Sequence, residues 1–359
     1  MKKKVLLLQH EISRYNSPIF SLIGKQVDLT VGYFKTDNSE TIVNYQKKEF
    51  SFYKVWRFFL LKGLHSYCKD FDVVIFDCNP ICPSYYLLPF LKHRYKTITW
   101  TVGVRASYKR RYELPFPKRG IYYHVIEHLF RKVDAILFYM SEPINYWLNE
   151  HLKRDKFFTA HNTVKIIEEP IDWNKNRNAI IFVGSLYKEK KVDELVHCYI
   201  NATKGLDSHQ VPTLEIVGDG EMRNELEEIV HQDHMEHLIT FHGAIFEENI
   251  LKKLFDKSMI CISPDQAGLS VLKSMGYGVP FATRDNAITG GERLNIKNGI
   301  NGFLYKEESE LVNIINKAIS APNELIQMGK NARNYYLKYA TPEIMAQGFL
   351  DAITYALKH

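Results

Sequence analysis

Cysteine is scarce in this chain, and what there is does not pair. Cys68, Cys78, Cys82, Cys198 and Cys261 are an odd set with no CxxC spacing. That excludes a disulfide framework and a zinc ribbon or finger, and it fits reduced thiols in a cytoplasmic protein. Cys78 and Cys82, close together at a strand end, read as buried free thiols. No apolar run approaches the roughly 18 residues that a membrane span needs. The basic start Met1-Lys2-Lys3-Lys4 leads into a short apolar run, Val5 to Leu8, before Gln9-His10-Glu11. The expectation is a first strand and not a signal peptide. The sequence holds no HxxxH or clustered Cys and His set that asks for a metal. Its one Asp-x-Asp, Asp70-Phe71-Asp72, stands where a strand begins, so no metal ligand set is expected. Nucleic-acid-binding motifs, short repeats and low-complexity tracts are also missing.

What is present is a globular composition, 45% hydrophobic and 25% charged over 359 residues, which gives a prior of about two domains. The charge is uneven. Residues 1–170 carry a net +11 and the remainder a net −5. A basic first half points to an anionic partner: a nucleic acid, an anionic membrane surface or a phosphorylated substrate.

Apolar runs and helical periodicities alternate along the chain. Val5–Leu8, Val27–Tyr33, Asp72–Phe76, Thr97–Thr101 and Ala135–Tyr139 read as strands. Ser17–Ile23, Pro80–Leu91 and Tyr122–Val133 read as helices between them. Near-continuous apolar strands separated by helices predict a parallel sheet covered on both faces. A polar stretch, Ile166 to Arg177, reads as a linker, and then the pattern restarts. Strands are expected at Ala179–Val183, Thr213–Val217, Ile239–Phe241, Met259–Ile262 and Val279–Ala282. Helices are expected at Asp193–Ala202, Glu221–His231, Ile250–Lys257 and Leu269–Met275. A last helix, Pro342–Leu357, has its apolar residues at helical spacing. The expected layout is a first domain over 1–170, a second over 171–340, and a terminal helix, 341–359, packed back on the first.

Open parallel sheets bind ligands beyond the carboxyl ends of their strands. The loops to inspect therefore contain His10, Val102-Gly103, Gly184-Ser185, Gly218-Asp219, His242-Gly243-Ala244, Asp265 to Gly268, and Thr289 to Glu292. Glycine loops that open helices suit an anionic ligand, because orphan N–H groups and the helix dipole favour negative charge. They are also ordinary punctuation in an α/β sheet.

Several of these segments carry a resemblance. Phe182-Val183-Gly184-Ser185-Leu186-Tyr187-Lys188-Glu189-Lys190-Lys191-Val192-Asp193 resembles the FVGRLxxEKGVD segment of retaining glycosyltransferases of the family-four type, which have the GT-B fold. Leu214 to Gly220 is similar to that family's LxIVGDG, Phe241-His242-Gly243 to its FxG, and Gly276 to Pro280 to its ACGVP. Gly290-Gly291-Glu292 and Asn298 to Leu304 resemble its closing GGxxE…xGxNGxL run. The resemblance is carried by the second half and implies an α/β fold of two Rossmann-like αβα domains facing across a cleft. The second domain would bind a nucleotide-sugar donor and the first an acceptor. No cofactor is implied, the nucleotide sugar being a substrate.

Carried over residue by residue, the resemblance makes Lys190 a contact of the donor diphosphate, places the Gly268-Leu269-Ser270 backbone on the same group, and sets Glu292 beside the nucleotide sugar. Gly184, Gly218 and Asp219 belong to the donor loops, and Ala244 to the base site. His10, Val102, Gly103 and Arg105 are the acceptor-side candidates. Read as a plain sequence, Lys190 is one lysine of a solvated Lys-Glu-Lys-Lys run. The departures are specific. The family's arginine after Gly184 is Ser185, with Lys188 the nearest substitute. Its paired glutamates fall on Asp265 and Lys273, and lysine has only donors to offer; Lys273 is expected to touch a phosphate or to pair with an acid. The first-domain histidine falls on Val102. With Asp265, Lys190 and Glu292 as the catalytic candidates, the leading expectation is a metal-independent, retaining hexosyltransferase of bacterial surface-polysaccharide synthesis. A catalytically silent GT-B partner subunit or membrane-associated scaffold is the alternative, and an epimerase or hydrolase on the same fold is the third reading.

Two stretches account for the basic half. Phe50 to Tyr67 places Phe52, Tyr53, Trp56, Phe59 and Leu60 at helical spacing beside Lys54, Arg57 and Lys62. Arg105 to Lys132 interleaves cations with aromatics. Both suit an anionic leaflet, and so a polyprenyl-diphosphate-linked acceptor reached from the cytoplasmic side. Both also suit a helix whose aromatic face is simply core.

Overall fold

The computed structural model describes residues 2–78, 81–103, 120–149 and 151–359. The chain forms two compact units. One contains the elements up to Lys165 together with Thr341–His359, and the other spans Ile166–Ala340.

In the first unit the apolar runs become parallel strands: β1 (Lys4–Leu8), β2 (Asp28–Tyr33), β3 (Gln46–Glu49), then β6 (Val73–Asp77), β7 (Lys96–Thr101), β8 (Ala135–Phe138) and β9 (Phe157–Thr159). Their order is β3-β2-β1-β6-β7-β8-β9, all parallel. Connections run to both sides of β1, so the order reverses between β1 and β6. Alternate residues of each strand feed two cores. Leu6, Leu8, Val74 and Phe76 face one, and Val5, Leu7, Val73 and Ile75 the other. Helix α1 (Ser17–Gln26) covers the second core. So does the last helix of the chain, Pro342–Lys358, whose Met345, Phe349 and Ile353 are buried there, Phe349 edge-on to Trp100 at 4.8 Å.

Two expectations fail in shape. Phe50 to Tyr67 is not one amphipathic helix. It is an antiparallel hairpin, β4 (Phe52–Val55) and β5 (Phe58–Leu61), followed by a single helical turn, α2 (Leu64–Cys68). Aromatic and β-branched residues prefer the pleated conformation, and cross-strand packing decides where short-range spacing is ambiguous. The described part of Pro80–Leu91 is α3 (Pro83–Tyr86) and a 3-10 turn, Leu88–Phe90; Pro83 and Pro89 each remove an N–H donor. The remaining helices here are α4 (Ile121–Lys132) and α5 (Glu142–Trp147). Arg105 and the cations from Lys109 to Arg119 lie outside the described residues.

The second unit repeats the design. Strands β10 (Ala179–Val183), β11 (Thr213–Val217), β12 (Ile239–Gly243), β13 (Ser258–Ile262), β15 (Phe281–Arg284) and β17 (Gly302–Tyr305) form a parallel sheet in the order β12-β11-β10-β13-β15-β17. The strand expected at Val279–Ala282 begins two residues later, because Val279-Pro280 still belongs to the turn after Gly278. A small pair, β14 (Gln266–Ala267) with β16 (Ile288–Thr289), lies apart from the main sheet. Helices α6 (Val192–Thr203), α7 (Arg223–Gln232), α8 (Glu248–Asp256), α9 (Ser270–Gly276), α10 (Glu308–Ser320) and α11 (Pro322–Tyr339) complete the unit, and the terminal helix of the first unit is α12.

One buried carboxylate ties this sheet together. Glu215 on β11 is 3% exposed and accepts from His242 Nε2 at 2.5 Å, Lys257 Nζ at 2.6 Å and Thr213 Oγ1 at 2.8 Å. Burial raises its pKa, but the bonds from Lys257, His242 and Thr213 outweigh that and hold it below the ordinary carboxylate value. A carboxylate with a depressed folded pKa stabilises fully above its unfolded value, 4.5, and loses that contribution as pH falls below it. Glu215→Ala is expected to lower stability at neutral pH by about 3 kcal/mol, since it leaves Lys257 and the His242 ring without their acceptor. Chemical denaturation at pH 7 and at pH 3.5 checks this: the wild type should lose more stability between the two than Glu215→Gln does.

Candidate functional site

In the second sheet the strand order reverses between β10 and β13. The loops leaving these two strands are where such a sheet takes a ligand. They hold Gly184 to Lys191 and Ser263 to Leu269.

After β10 the chain makes a 3-10 turn, Lys188–Lys190. The turn exposes Lys188 and folds Lys190 inward, so Lys190 is only 7% exposed. Its Nζ lies under Gly184, 3.3 Å from where a Cβ on that glycine would stand, and 5.8 Å from the centre of the Tyr187 ring. Among the described residues no carboxylate is within ion-pair distance of it. Burial pushes the ammonium down to about 8, and the charge of Glu292 offsets only part of that. The solvated lysine of the local sequence pattern is therefore a buried cation held near its titration point.

Glu292 starts the 3-10 turn Glu292–Asn295 and is 7% exposed. Its Oε2 accepts from Thr289 Oγ1 at 3.0 Å and from the Gly290 amide at 2.9 Å, which fixes the carboxylate on the loop after β16. Asp265 is 4% exposed, and its carbonyl accepts from the Ile288 amide at 2.8 Å. Next to it, Gln266 is 3% exposed, meets the Tyr187 hydroxyl through Oε1, and leaves its buried Nε2 with no partner. Gly268, Leu269 and Ser270 lead into α9 and are half-buried. A Cβ on Gly268 would meet nothing within 4 Å.

The neighbouring loops are zipped to this one. The Gly184 amide donates to Val217 O, the Gly218 amide to Gly243 O, and the Leu186 amide to Asp219 O. Gly218 has φ 145, and a Cβ there would lie 1.8 Å from Gly184 O. The Asp219 carboxylate accepts from the Gly220 amide and is exposed, as are Ser185 and Ala244. Lys273 takes the second of its two expected roles: its Nζ donates to Glu248 Oε2 at 2.6 Å, and Glu248 Oε1 accepts from the Tyr277 hydroxyl at 2.5 Å.

The first unit has a polar group at its own point of reversal. His10 follows β1 and stands between Phe34 and Tyr85, with Nε2 buried and unpartnered. Burial, then the Lys35 charge, lower its pKa. At the end of β6, Asp77 is pushed up to about 7 by burial. The sequence reading passed over it; an acid closing a strand at the reversal point was the available signal. Gly103 is tied into the core, its carbonyl accepting from buried Trp147 Nε1 at 2.6 Å, and Val102 is half-buried beside it.

Residues 164–335 match the family glycosyl transferases group 1. The match covers just under half of the chain. Over 316 residues the chain is 26% identical to an uncharacterized glycosyltransferase of Methanocaldococcus jannaschii, covering 82% of this chain and 77% of that protein. Among solved structures it is similar to a glycosyltransferase from Rickettsia africae, with TM-score 0.70 at 15% identity over 100% of this chain and 99% of that one. It is similar also to Anabaena HepE in complex with UDP, with TM-score 0.69 at 15% identity, and to S. aureus TarM in complex with fondaparinux, α-GlcNAc-glycerol and UDP, with TM-score 0.67 at 11% identity. In both cases 98% of this chain and 99% of the other are covered. The fold is GT-B, built of two Rossmann-like domains. The group 1 match and the similarity to a glycosyltransferase over most of the chain support glycosyltransferase activity. Among the described residues no helix is long and apolar enough to cross a membrane.

Proposed function

We propose that this protein is a retaining glycosyltransferase of family-four type that moves a hexose from a nucleotide-sugar donor to a hydroxyl of a glycan or polyprenyl-diphosphate-linked acceptor in bacterial surface-polysaccharide synthesis. The observation that carries the reading is Lys190: a buried cation with no carboxylate of the described residues within ion-pair distance, at the strand-order reversal of the second sheet. A buried unpaired charge destabilises the fold, so its purpose is sought in a ligand. A catalytically silent scaffold has no use for it.

In this mechanism the bond between the anomeric carbon and the donor phosphate oxygen breaks while the acceptor hydroxyl attacks the same face. The departing phosphate oxygen takes the hydroxyl proton. Lys190 stabilises the charge gathering on the diphosphate without a metal, and the Gly268 to Ser270 backbone binds the same group through N–H donors that the first turn of α9 leaves unused. Asp265 accepts from sugar hydroxyls. Glu292, held by Thr289 and Gly290, stands beside the nucleotide sugar. The first domain takes the acceptor, with His10 and Asp77 at its strand ends, and works at the cytoplasmic face of an anionic membrane.

The test is ligand-induced thermal stabilisation by UDP, GDP and their sugars. UDP comes first, because HepE and TarM have it in their solved complexes. A nucleotide at 100 times its dissociation constant should add about 2.7 kcal/mol. Stabilisation by one base and transfer from its sugar nucleotide with retained anomeric configuration support the reading. A folded protein that no nucleotide stabilises rules it out.

A further inference from the structure

We propose that the hairpin β4–β5, the α3 region and α4 form one docking surface on the first unit for an anionic lipid bilayer. The proposal deepens the acceptor side of the function above and rests on that reading for its purpose, though not for its observations.

Nineteen large apolar or aromatic side chains are exposed among the described residues, and eleven of them fall in these three short segments. The hairpin is unusual in having two apolar faces. Its inner face packs Phe52 and Phe59 on Phe34, at 5.4 and 5.3 Å between ring centres. An antiparallel hairpin with one face on the core ordinarily turns polar residues to water on the other. Here the outer face pairs Tyr53 with Leu60 and Val55 with Phe58, and Tyr53 and Val55 are 60% and 56% exposed. At the tip, Trp56 is 74% exposed and holds a left-handed backbone, φ 54. That conformation costs a bulky side chain about 1–2 kcal/mol, and it projects an indole into solvent with Arg57 stacked over it at 4.4 Å.

The surface continues through direct contacts. The Phe59 amide donates to Ile81 O at 2.9 Å, and the Leu61 amide to Ser84 Oγ at 2.9 Å. Beyond them stand exposed Leu87, Phe90 and Leu91. The Tyr86 hydroxyl then donates to Val125 O at 3.3 Å, and Phe90 stacks on His128 at 5.1 Å, which brings in α4 with exposed Ile121 and Val125.

Charge selects the occupant. Between Phe50 and Lys69 there is no carboxylate, and Lys54, Arg57, Lys62 and Lys69 are exposed. Between Ile81 and Ile98 there is again none, with Lys92 and Arg94 exposed. In α4 the one acid, Glu127, is buried and paired with Arg131 at 3.1 Å. Lys62 Nζ lies over the Tyr53 ring at 4.1 Å and Lys35 Nζ over Phe59 at 5.0 Å. Rings and cations are thus presented together, as a boundary of acyl chain and anionic headgroup requires. A nucleic acid would use the cations and leave the contiguous apolar face wet.

The experiment is co-sedimentation of the full chain with vesicles of phosphatidylcholine alone and of phosphatidylcholine with an equal part of phosphatidylglycerol, beside a UDP thermal-shift measurement on the same samples. The wild type should partition onto the anionic vesicles only, and raised salt should weaken it. Arg57→Gln should lower the partition coefficient about fivefold, and Trp56→Ser about tenfold. Ile300→Ser, at an exposed site of the second unit, should leave it unchanged. UDP stabilisation should be the same in all four proteins, so failure of the donor reading is seen separately. Three results would each overturn the proposal: wild-type affinity for both vesicle types alike, unchanged partition of Trp56→Ser, or a wild-type dimer that Trp56→Ser converts to monomer.

Discussion

Replacing Lys190 by methionine is expected to weaken donor binding about 100-fold and to make the protein more stable. Both effects follow from one observation. Lys190 is 7% exposed with no carboxylate of the described residues at its Nζ, and burial has moved it from 10.5 to about 8. For a lysine whose folded pKa is depressed, the unfolded chain binds more protons between the two values. The penalty is therefore fully present below about 8 and is relieved as pH rises toward 10.5. At neutral pH it is on the order of 3 kcal/mol. Methionine keeps most of the apolar stem and removes the charge, so the melting temperature at pH 7 should rise by about 5 °C. The same change deletes a charge-assisted bond to the diphosphate, and the nucleotide dissociation constant should rise about 100-fold. Wild-type affinity carries a pH signature as well. An anion favours the protonated ammonium, so binding should weaken as pH climbs through 8, and the methionine variant should lack that dependence. Calorimetric titration from pH 6.5 to 9.5, with melting curves of both proteins, reads all three effects. A methionine variant that binds the nucleotide as the wild type does would remove Lys190 from the site.

How much of this was legible beforehand depended on the range over which each feature is encoded. The parallel strands that were expected fell within a residue or two, because a strand buried on both faces is a continuous apolar run closed by a loop, as in Ala179–Val183 before Gly184, whereas the exposed, polar β3 and the short β17 carry no such run and were not read. The hairpin was misread because Phe52, Tyr53, Trp56, Phe59 and Leu60 fit a helical face as well as a two-stranded ribbon, and only the pairing of Tyr53 with Leu60 separates them. Lys190 could be singled out only by resemblance. In its own neighbourhood it is one lysine among three, and what buries it is the turn that brings it beneath Gly184. The partner of Lys273 was hidden for the same reason, since Glu248 arrives from another helix, 25 residues away. Asp77 shows no local sign of its raised pKa, because the apolar surroundings responsible for it come from the packed first unit.

The two glycines that flank the candidate donor site should respond to alanine in opposite ways. Gly218 is demanded by the fold. At φ 145 an L side chain is strained, and its Cβ would stand 1.8 Å from Gly184 O, a backbone atom of the loop that carries Lys190. Strain and overlap together put Gly218→Ala at about 3–5 kcal/mol of lost stability. That is a large part of what a typical domain has, roughly 5–15 kcal/mol. Any folded fraction must displace the Gly184 loop, so nucleotide binding falls with it. Gly268 is different. Its φ lies outside the left-handed region, and a Cβ would meet nothing within 4 Å. Nothing in the folded chain requires glycine there, and Gly268→Ala should change stability by less than about 0.5 kcal/mol. A diphosphate lying against the Gly268 to Ser270 backbone supplies the missing requirement, because its oxygens would occupy the space that the methyl group fills. The nucleotide dissociation constant should then rise about tenfold in a protein that melts like the wild type. Melting curves with and without the nucleotide separate the two cases. Full affinity in Gly268→Ala would move the diphosphate away from this loop, and a wild-type melting temperature in Gly218→Ala would mean that the Gly184 loop yields without cost.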